Sequence, residues 1–200
     1  LNIFNMRILF VYRVYGKNEI NPVVQNQISA LRISGIEIVE FTIKKGGIIS
    51  YIRYIQNLFF FSLKNHFDLV HAHYSYSGFL SVFGVTNRPI ICSLMGSDVI
   101  KASRVKRSLI LFFARYIWAR TIVKSANMHV ANSIVIPNGL DFENFRVVDK
   151  KKAMIHTGFP VDKINIIFVA SEIQSEVKNY ALAKKVVDSL GENFILHTVC

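Results

Sequence analysis

Along the chain, short unbroken apolar runs alternate with longer stretches of helical spacing. Residues 7–12 (RILFVY) form such a run, the pattern of a strand buried on both faces of a parallel sheet. A polar loop follows over 13–21. Residues 22–34 then set Val23, Gln27, Ala30, Leu31 and Ser34 at helical spacing, with Gly35 where a helix C-cap belongs. The pattern predicts strands at 36–43, 68–72, 89–94 and 121–124, and helices at 51–64 and 103–120. Strands alternating with helices predict right-handed βαβ crossovers, and so an α/β fold with a parallel sheet and helices on both faces.

Residues 134–145 (IVIPNGLDFENF) break this rhythm, because Pro137, Asn138 and Gly139 are turn formers through which neither strand nor helix continues. The segment reads as a hinge. Residues 150–152 are a charged, solvated stretch; 164–170 (INIIFVA) restart the buried-strand pattern, followed by a helix at 179–190 and a strand at 194–199. The expected organisation is a domain over 6–145, a linker over 146–162 and the start of a second domain over 163–200. One βαβ unit leaves a sheet face unburied, so the second domain is expected to be incomplete.

Composition narrows this picture without deciding it. At 52% hydrophobic and 18% charged residues, the chain can bury one full core and part of another, which argues against disorder. The 24 Lys and Arg against 13 Asp and Glu leave a net charge of +11, which attracts nucleic acid, acidic lipid and phosphorylated small molecules alike. Cys92 sits in an apolar run and Cys200 at the last position, without metal or disulfide spacing, so a reducing cytoplasm is the expected compartment. No uncharged apolar run reaches membrane-spanning length, and residues 1–5 lack the regions of a signal peptide. Met6 opens the first strand, and the five residues before it are set aside.

Two short segments carry candidate chemistry. A strand ending in His71 and His73 puts both imidazoles on one face at the carboxyl edge of the sheet, where α/β ligands bind, and such rings can hydrogen-bond ligand hydroxyls. Either histidine can instead be a packed, backbone-bonded core residue. No third ligand stands at zinc spacing. Gly96, Ser97 and Asp98 follow the next strand at the same edge; the glycine permits close approach of a ligand, and Asp98 can accept from a hydroxyl or cap the following helix. Those two roles for Asp98 are compatible. Gly16 lies in the loop after the first strand, and that loop can equally be a plain turn.

Together these segments resemble glycosyltransferase family 4. Residues 136–141 with Phe145 resemble the inter-domain "IPNGVD...F" motif. Val70 to Tyr74 with Ser77 and Gly78 resemble "vHaHy..sG", and residues 93–99 resemble "sfmGSDv". Ile122 to Ser125 with Met128 are similar to the strand and turn before the hinge. Asp162 and Lys163, the strand after them, and Lys178 with Asn179 look like "pxDKxxilFvg...KN". The resemblance implies the two-domain GT-B architecture: a Rossmann-like parallel-sheet domain followed by an incomplete second one. It implies metal-independent, cofactor-free, retaining transfer from a nucleotide-diphosphate sugar to a sugar or lipid-linked acceptor in cell-envelope or surface polysaccharide synthesis. By the same resemblance His73 and Asp98 are catalytic. His71, Tyr74, Gly96 and Ser97 contact acceptor or sugar. Lys178, Asn179 and Gly16 bind donor, and Lys178 neutralises the diphosphate as its bond to the sugar breaks.

The chain departs from the pattern in places. Met95 stands where many relatives carry His, and the loop at Gly16 lacks the family's paired glycines. The arginine that partners the lysine is absent, since residues 171–177 read SEIQSEV. The acidic E-x7-E segment does not occur before Cys200, so the 200 residues alone are expected to be an inactive piece of a transferase. The rival expectation is a non-catalytic remnant that keeps a folded acceptor-binding domain.

Over 104–120 the basic residues Arg104, Lys106, Arg107, Arg115 and Arg120 interleave with Leu109, Ile110, Leu111, Phe112, Phe113, Ile117 and Trp118. Such a helix can pack into the sheet with a solvated basic face, or lie on anionic lipid at the inner face of the plasma membrane. No recognition motif or stacking platform supports nucleic acid as a partner.

Overall fold

The structure, a computed structural model, describes residues 6–14, 19–44, 48–170, 172–174, 176 and 178–199. The chain divides into two compact units, Leu1–Asp141 and Phe142–Cys200.

In the first unit the elements run β1 (Arg7–Arg13), α1 (Pro22–Ile33), β2 (Glu37–Ile43), α2 (Ile48–Lys64), β3 (Leu69–His73), α3 (Ser75–Gly84), β4 (Ile90–Ser93), α4 (Ser97–Ile100), α5 (Arg104–Tyr116), β5 (Arg120–Val123) and β6 (Ser133–Val135). The strands form one parallel sheet in the order β2-β1-β3-β4-β5-β6. The parallel α/β sheet expected from the alternation is therefore present, and it is Rossmann-like, as the resemblance implies. Local chemistry starts and stops the helices. Asn21 accepts from the Val23 amide at 3.0 Å ahead of Pro22, and Gly35 ends that turn at φ +81°.

Strand β1 shows why an unbroken apolar run belongs at the centre of a parallel sheet. Leu9 and Val11 pack with Leu58 of α2, Leu80 of α3 and Ile110 of α5, whereas Ile8, Phe10 and Tyr12 pack with Val24 and Ile28 of α1. Side chains alternate across the sheet, so both faces of β1 are buried. Close packing on the α3 side depends on Gly78, where a Cβ would stand 2.7 Å from Cys92 Sγ and from the Trp118 ring. The first crossover leaves β1 for β2 on one side, and β3 lies on the other. The strand order therefore reverses between β1 and β3, a switch point of the kind that opens a ligand crevice at the carboxyl ends of the strands.

Several elements differ from expectation. Helix α5 stops at Tyr116 rather than continuing to residue 120, because Trp118 turns into the core and Ala119 donates to the Ile90 carbonyl. Helix α3 was not foreseen. Its buried residues include Ser75, Ser77, Gly78 and Ser81, which leave no apolar period to read. Strand β6 overlaps the start of the segment read as a hinge. Pro137, Asn138 and Gly139 follow it, exposed and without regular structure, ahead of the boundary between the units.

The second unit holds α6 (Lys150–Thr157), β7 (Ile164–Val169), α7 (Tyr180–Ser189) and β8 (Phe194–Val199), with β7 and β8 parallel. Residues 146–162, expected as a linker, thus contain a helix. Asp149 caps it by accepting from Lys152 N at 3.1 Å, and Gly158 closes it at φ +71°.

Candidate functional site

The carboxyl end of β3 reads LVHAH and is buried from Val70 onward. Register pairs Phe10 with His71 and His73 with Ser93, so both imidazoles share the side of the sheet that Phe10 faces. The two rings stack at 4.5 Å, with the Phe10 ring 4.9 Å from His71 and 5.1 Å from His73. His71 is satisfied by a 2.7 Å hydrogen bond between its Nε2 and Ser93 Oγ.

His73 is not satisfied. It is fully buried, and neither Nδ1 nor Nε2 has a hydrogen-bond partner. A buried polar group without a partner is costly, and native proteins keep few of them. The hydroxyl of Ser75, two residues on, is also buried and unpartnered. Burial lowers the His71 pKa to about 4; burial, then His71 and Lys124, hold His73 well below the usual histidine value. Both rings are therefore neutral near pH 7, each with one donor and one acceptor nitrogen.

Lys124 is the residue that sequence reading left out of the site. It follows β5, where Ile122 registers with Ser93, so alternation returns Lys124 to the histidine side. It is half-buried, and burial lowers its pKa. The signal that could have found it is parity: His73, Ser93 and Lys124 stand on one face at the ends of adjacent strands.

Tyr74 turns the chain from β3 into α3 at φ 72° and ψ 149°, a region costly for any residue with a side chain. Its amide donates to the Ser93 carbonyl at 2.9 Å. Asp98 fastens the neighbouring loop to this turn. Its Oδ2 accepts from Ser75 N at 3.0 Å, and its Oδ1 accepts from Met95 N at 3.0 Å and Gly96 N at 3.1 Å. Against the expectation that it caps the helix that follows, Asp98 lies within α4, and its carboxylate stands instead at the amino end of the preceding helix α3, where a negative charge is favoured. Burial raises the Asp98 pKa against the pull of those backbone donors. Gly96 adopts φ +107°, and Ser97 is exposed at the start of α4.

The edge of β3 and β4 therefore gathers His71, His73, Tyr74, Gly96, Ser97 and Asp98. Lys178 and Asn179 belong to the second unit. There Asn179, at φ 51°, caps α7 by accepting from Leu182 N at 3.2 Å, and exposed Lys178 lines an apolar groove of about 410 Å³ with Ile166, Phe168, Leu182 and Val186. Gly16 and Cys200 lie outside the described residues. Among the described residues no three His, Cys, Asp or Glu side chains gather as a metal-binding group.

No family model matches the sequence, and a search of curated proteins finds no match. Solved structures do match, 22 chains in all. The chain is similar to the sucrose-phosphate synthase of Thermosynechococcus elongatus, with TM-score 0.64 and 14% identity over 98% of this chain and 71% of that one. It is similar to a glycosyltransferase from Rickettsia africae, with TM-score 0.63 and 12% identity over 98% and 69%. The MnaA–UDP structure of S. aureus follows at TM-score 0.55 and 12% identity over 96% and 61%. At these identities the likeness is one of fold, and it supports the Rossmann-like, GT-B-type α/β reading.

Proposed function

We propose that the protein is a retaining glycosyltransferase of the family 4 type, acting in the cytoplasm in cell-envelope or surface polysaccharide synthesis. Residues 6–145 hold a sugar or lipid-linked acceptor, and the region from 163 onward binds a nucleotide-diphosphate sugar. The observation that carries this most is His73: a neutral imidazole at the switch-point edge, buried without any partner, beside a half-buried lysine and a strained turn. Ligand hydroxyls would supply the missing hydrogen bonds. The motif resemblance and the fold likeness point the same way.

In the reaction the bond between the sugar anomeric carbon and the diphosphate breaks while the acceptor oxygen bonds to that carbon on the same face. The acceptor proton passes to the departing diphosphate. Lys178 offsets the charge that develops there, without metal or cofactor. His73 and His71 orient hydroxyls rather than ionise.

A panel of nucleotide-diphosphate sugars with sugar and lipid-linked acceptors tests this. Binding of a nucleotide-diphosphate sugar and of an acceptor, insensitive to chelator, is the expected result, and any product formed should keep the donor's anomeric configuration. Absence of binding by every nucleotide sugar would contradict it. A second reading, an acceptor-binding protein without turnover, is favoured by the two glutamates and missing base at 171–177, and acceptor binding without nucleotide binding would select it.

A further inference from the structure

Helix α5 is apolar on two opposite sides. Ile110 and Ala114 are buried against the sheet, yet Val105, Leu109, Phe112 and Tyr116 are 74%, 47%, 51% and 65% exposed. At about 100° per residue these four fall within an arc of about 60° that points away from the buried seam. A surface helix of a globular domain ordinarily presents polar residues there. The apolar surface continues onto the neighbouring helices. Phe113 of α5 lies 6.5 Å from exposed Phe83 of α3, and exposed Tyr76 of α3 lies 5.6 Å from half-buried Tyr51 of α2. Contiguous apolar surface on this scale marks an interaction face.

The same face is free of carboxylates. Between residues 41 and 140 the chain has twelve Lys and Arg but two acids, Asp68 and Asp98. Asp98 is buried, Asp68 accepts from Arg7 N, and neither lies on α2, α3 or α5. Helical spacing puts Arg104 and Arg115 along one flank of the α5 stripe and Lys106 along the other, its Nζ 4.3 Å above the Tyr76 ring.

Charge decides the partner. A second copy docked through a two-fold axis would set this patch against itself, cation to cation with no carboxylate to pair. Nucleic acid would neutralise the cations but offers no hydrocarbon to bury Val105, Leu109 and Phe112. An anionic bilayer supplies both, with headgroup phosphates for the basic flanks and acyl chains for the stripe. No described helix is long and apolar enough to cross a membrane, so the contact is one of lying on the surface. We propose that the outer face of α3 and α5 docks on an anionic lipid bilayer, with Val105, Leu109, Phe112 and Tyr116 entering the interface. The inference deepens the acceptor side of the proposed function, since a lipid-linked acceptor lies in that plane, but its test reads binding without turnover.

Co-sedimentation of the chain with phosphatidylcholine vesicles, with and without phosphatidylglycerol, provides the test. Binding is expected only with the anionic lipid and should weaken as salt rises. Arg104→Ser, Lys106→Ser and Arg115→Ser together should lower partitioning on the order of 100-fold. Leu109→Gln with Phe112→Gln keeps the charge and replaces exposed side chains; it should leave the thermal transition unchanged and still lose vesicle binding. Phe112→Trp should show a blue-shifted emission on anionic vesicles. Equal binding to both vesicles, binding to neither, or unchanged binding in either multiple variant would overturn the proposal. So would a dimer that the Leu109 and Phe112 variant abolishes, which would assign the face to a second copy.

Discussion

Strands β1 (RILFVYR) and β7 (INIIFV) carry nearly the same pattern, yet the structure treats them differently. The five central residues of β1 are buried, whereas β7 has only half-buried and exposed positions, Ile167 at 54% and Val169 at 65%. An apolar run specifies a strand; its neighbours decide what covers it. β1 lies between β2 and β3 with helices packed on both faces, while β7 pairs with β8 alone among the described residues. Only the closed unit can hold unpaired polar groups in low-dielectric surroundings, and that is where His73 sits.

The contrast breaks if the two strands respond alike to truncation. Leu9→Ala removes a fully buried side chain and should cost about 3 kcal/mol in urea unfolding, against under about 1 kcal/mol for Ile167→Ala. Equal losses would show that β7 is as well covered as β1.

Asp98→Ala sharpens the contrast at the site. Three amides that converge on the carboxylate lose their acceptor, and the expected loss is about 2 kcal/mol in thermal or urea unfolding. A neutral result would mean that the two loops hold their positions without it.

Acid should reach the closed unit through its buried imidazoles. Their folded pKa values lie below the ordinary 6.5, so between pH 6.5 and about 4 the unfolded chain binds more protons and stability falls as pH falls. The slope is at most about 1.4 kcal/mol per pH unit for each ring. Asp98, raised by burial, binds its proton more readily when folded and offsets part of the loss at the acid end. Urea titrations at pH 7, 6 and 5 read the slope, and a flat profile would contradict burial of two neutral histidines.

Much of the first fold was legible because its strands are short apolar runs broken by loops and caps. What escaped had no such signal. Helix α3 turns serines and a glycine inward, so periodicity could not find it, and the small residues of the Ser77–Gly78 motif turn out to admit Cys92 and Trp118. Helix α6 does have its cap at Asp149 and its stop at Gly158, but buries only Met154 and so reads as charged linker. In the site, alternation placed His71 and His73 on one face, whereas Ser93 and Lys124 come from other strands and join them only through register. That His71 has a partner and His73 has none could not be read from the sequence.

The most direct measurement pairs stability with acceptor binding in His73→Leu, an apolar replacement of similar volume. If the imidazole is kept for a ligand, removing two unsatisfied nitrogens leaves unfolding stability unchanged or higher, while binding of the sugar or lipid-linked acceptor weakens by about 10-fold. Undiminished acceptor binding by a stably folded His73→Leu protein would contradict the assignment of this edge as the acceptor site.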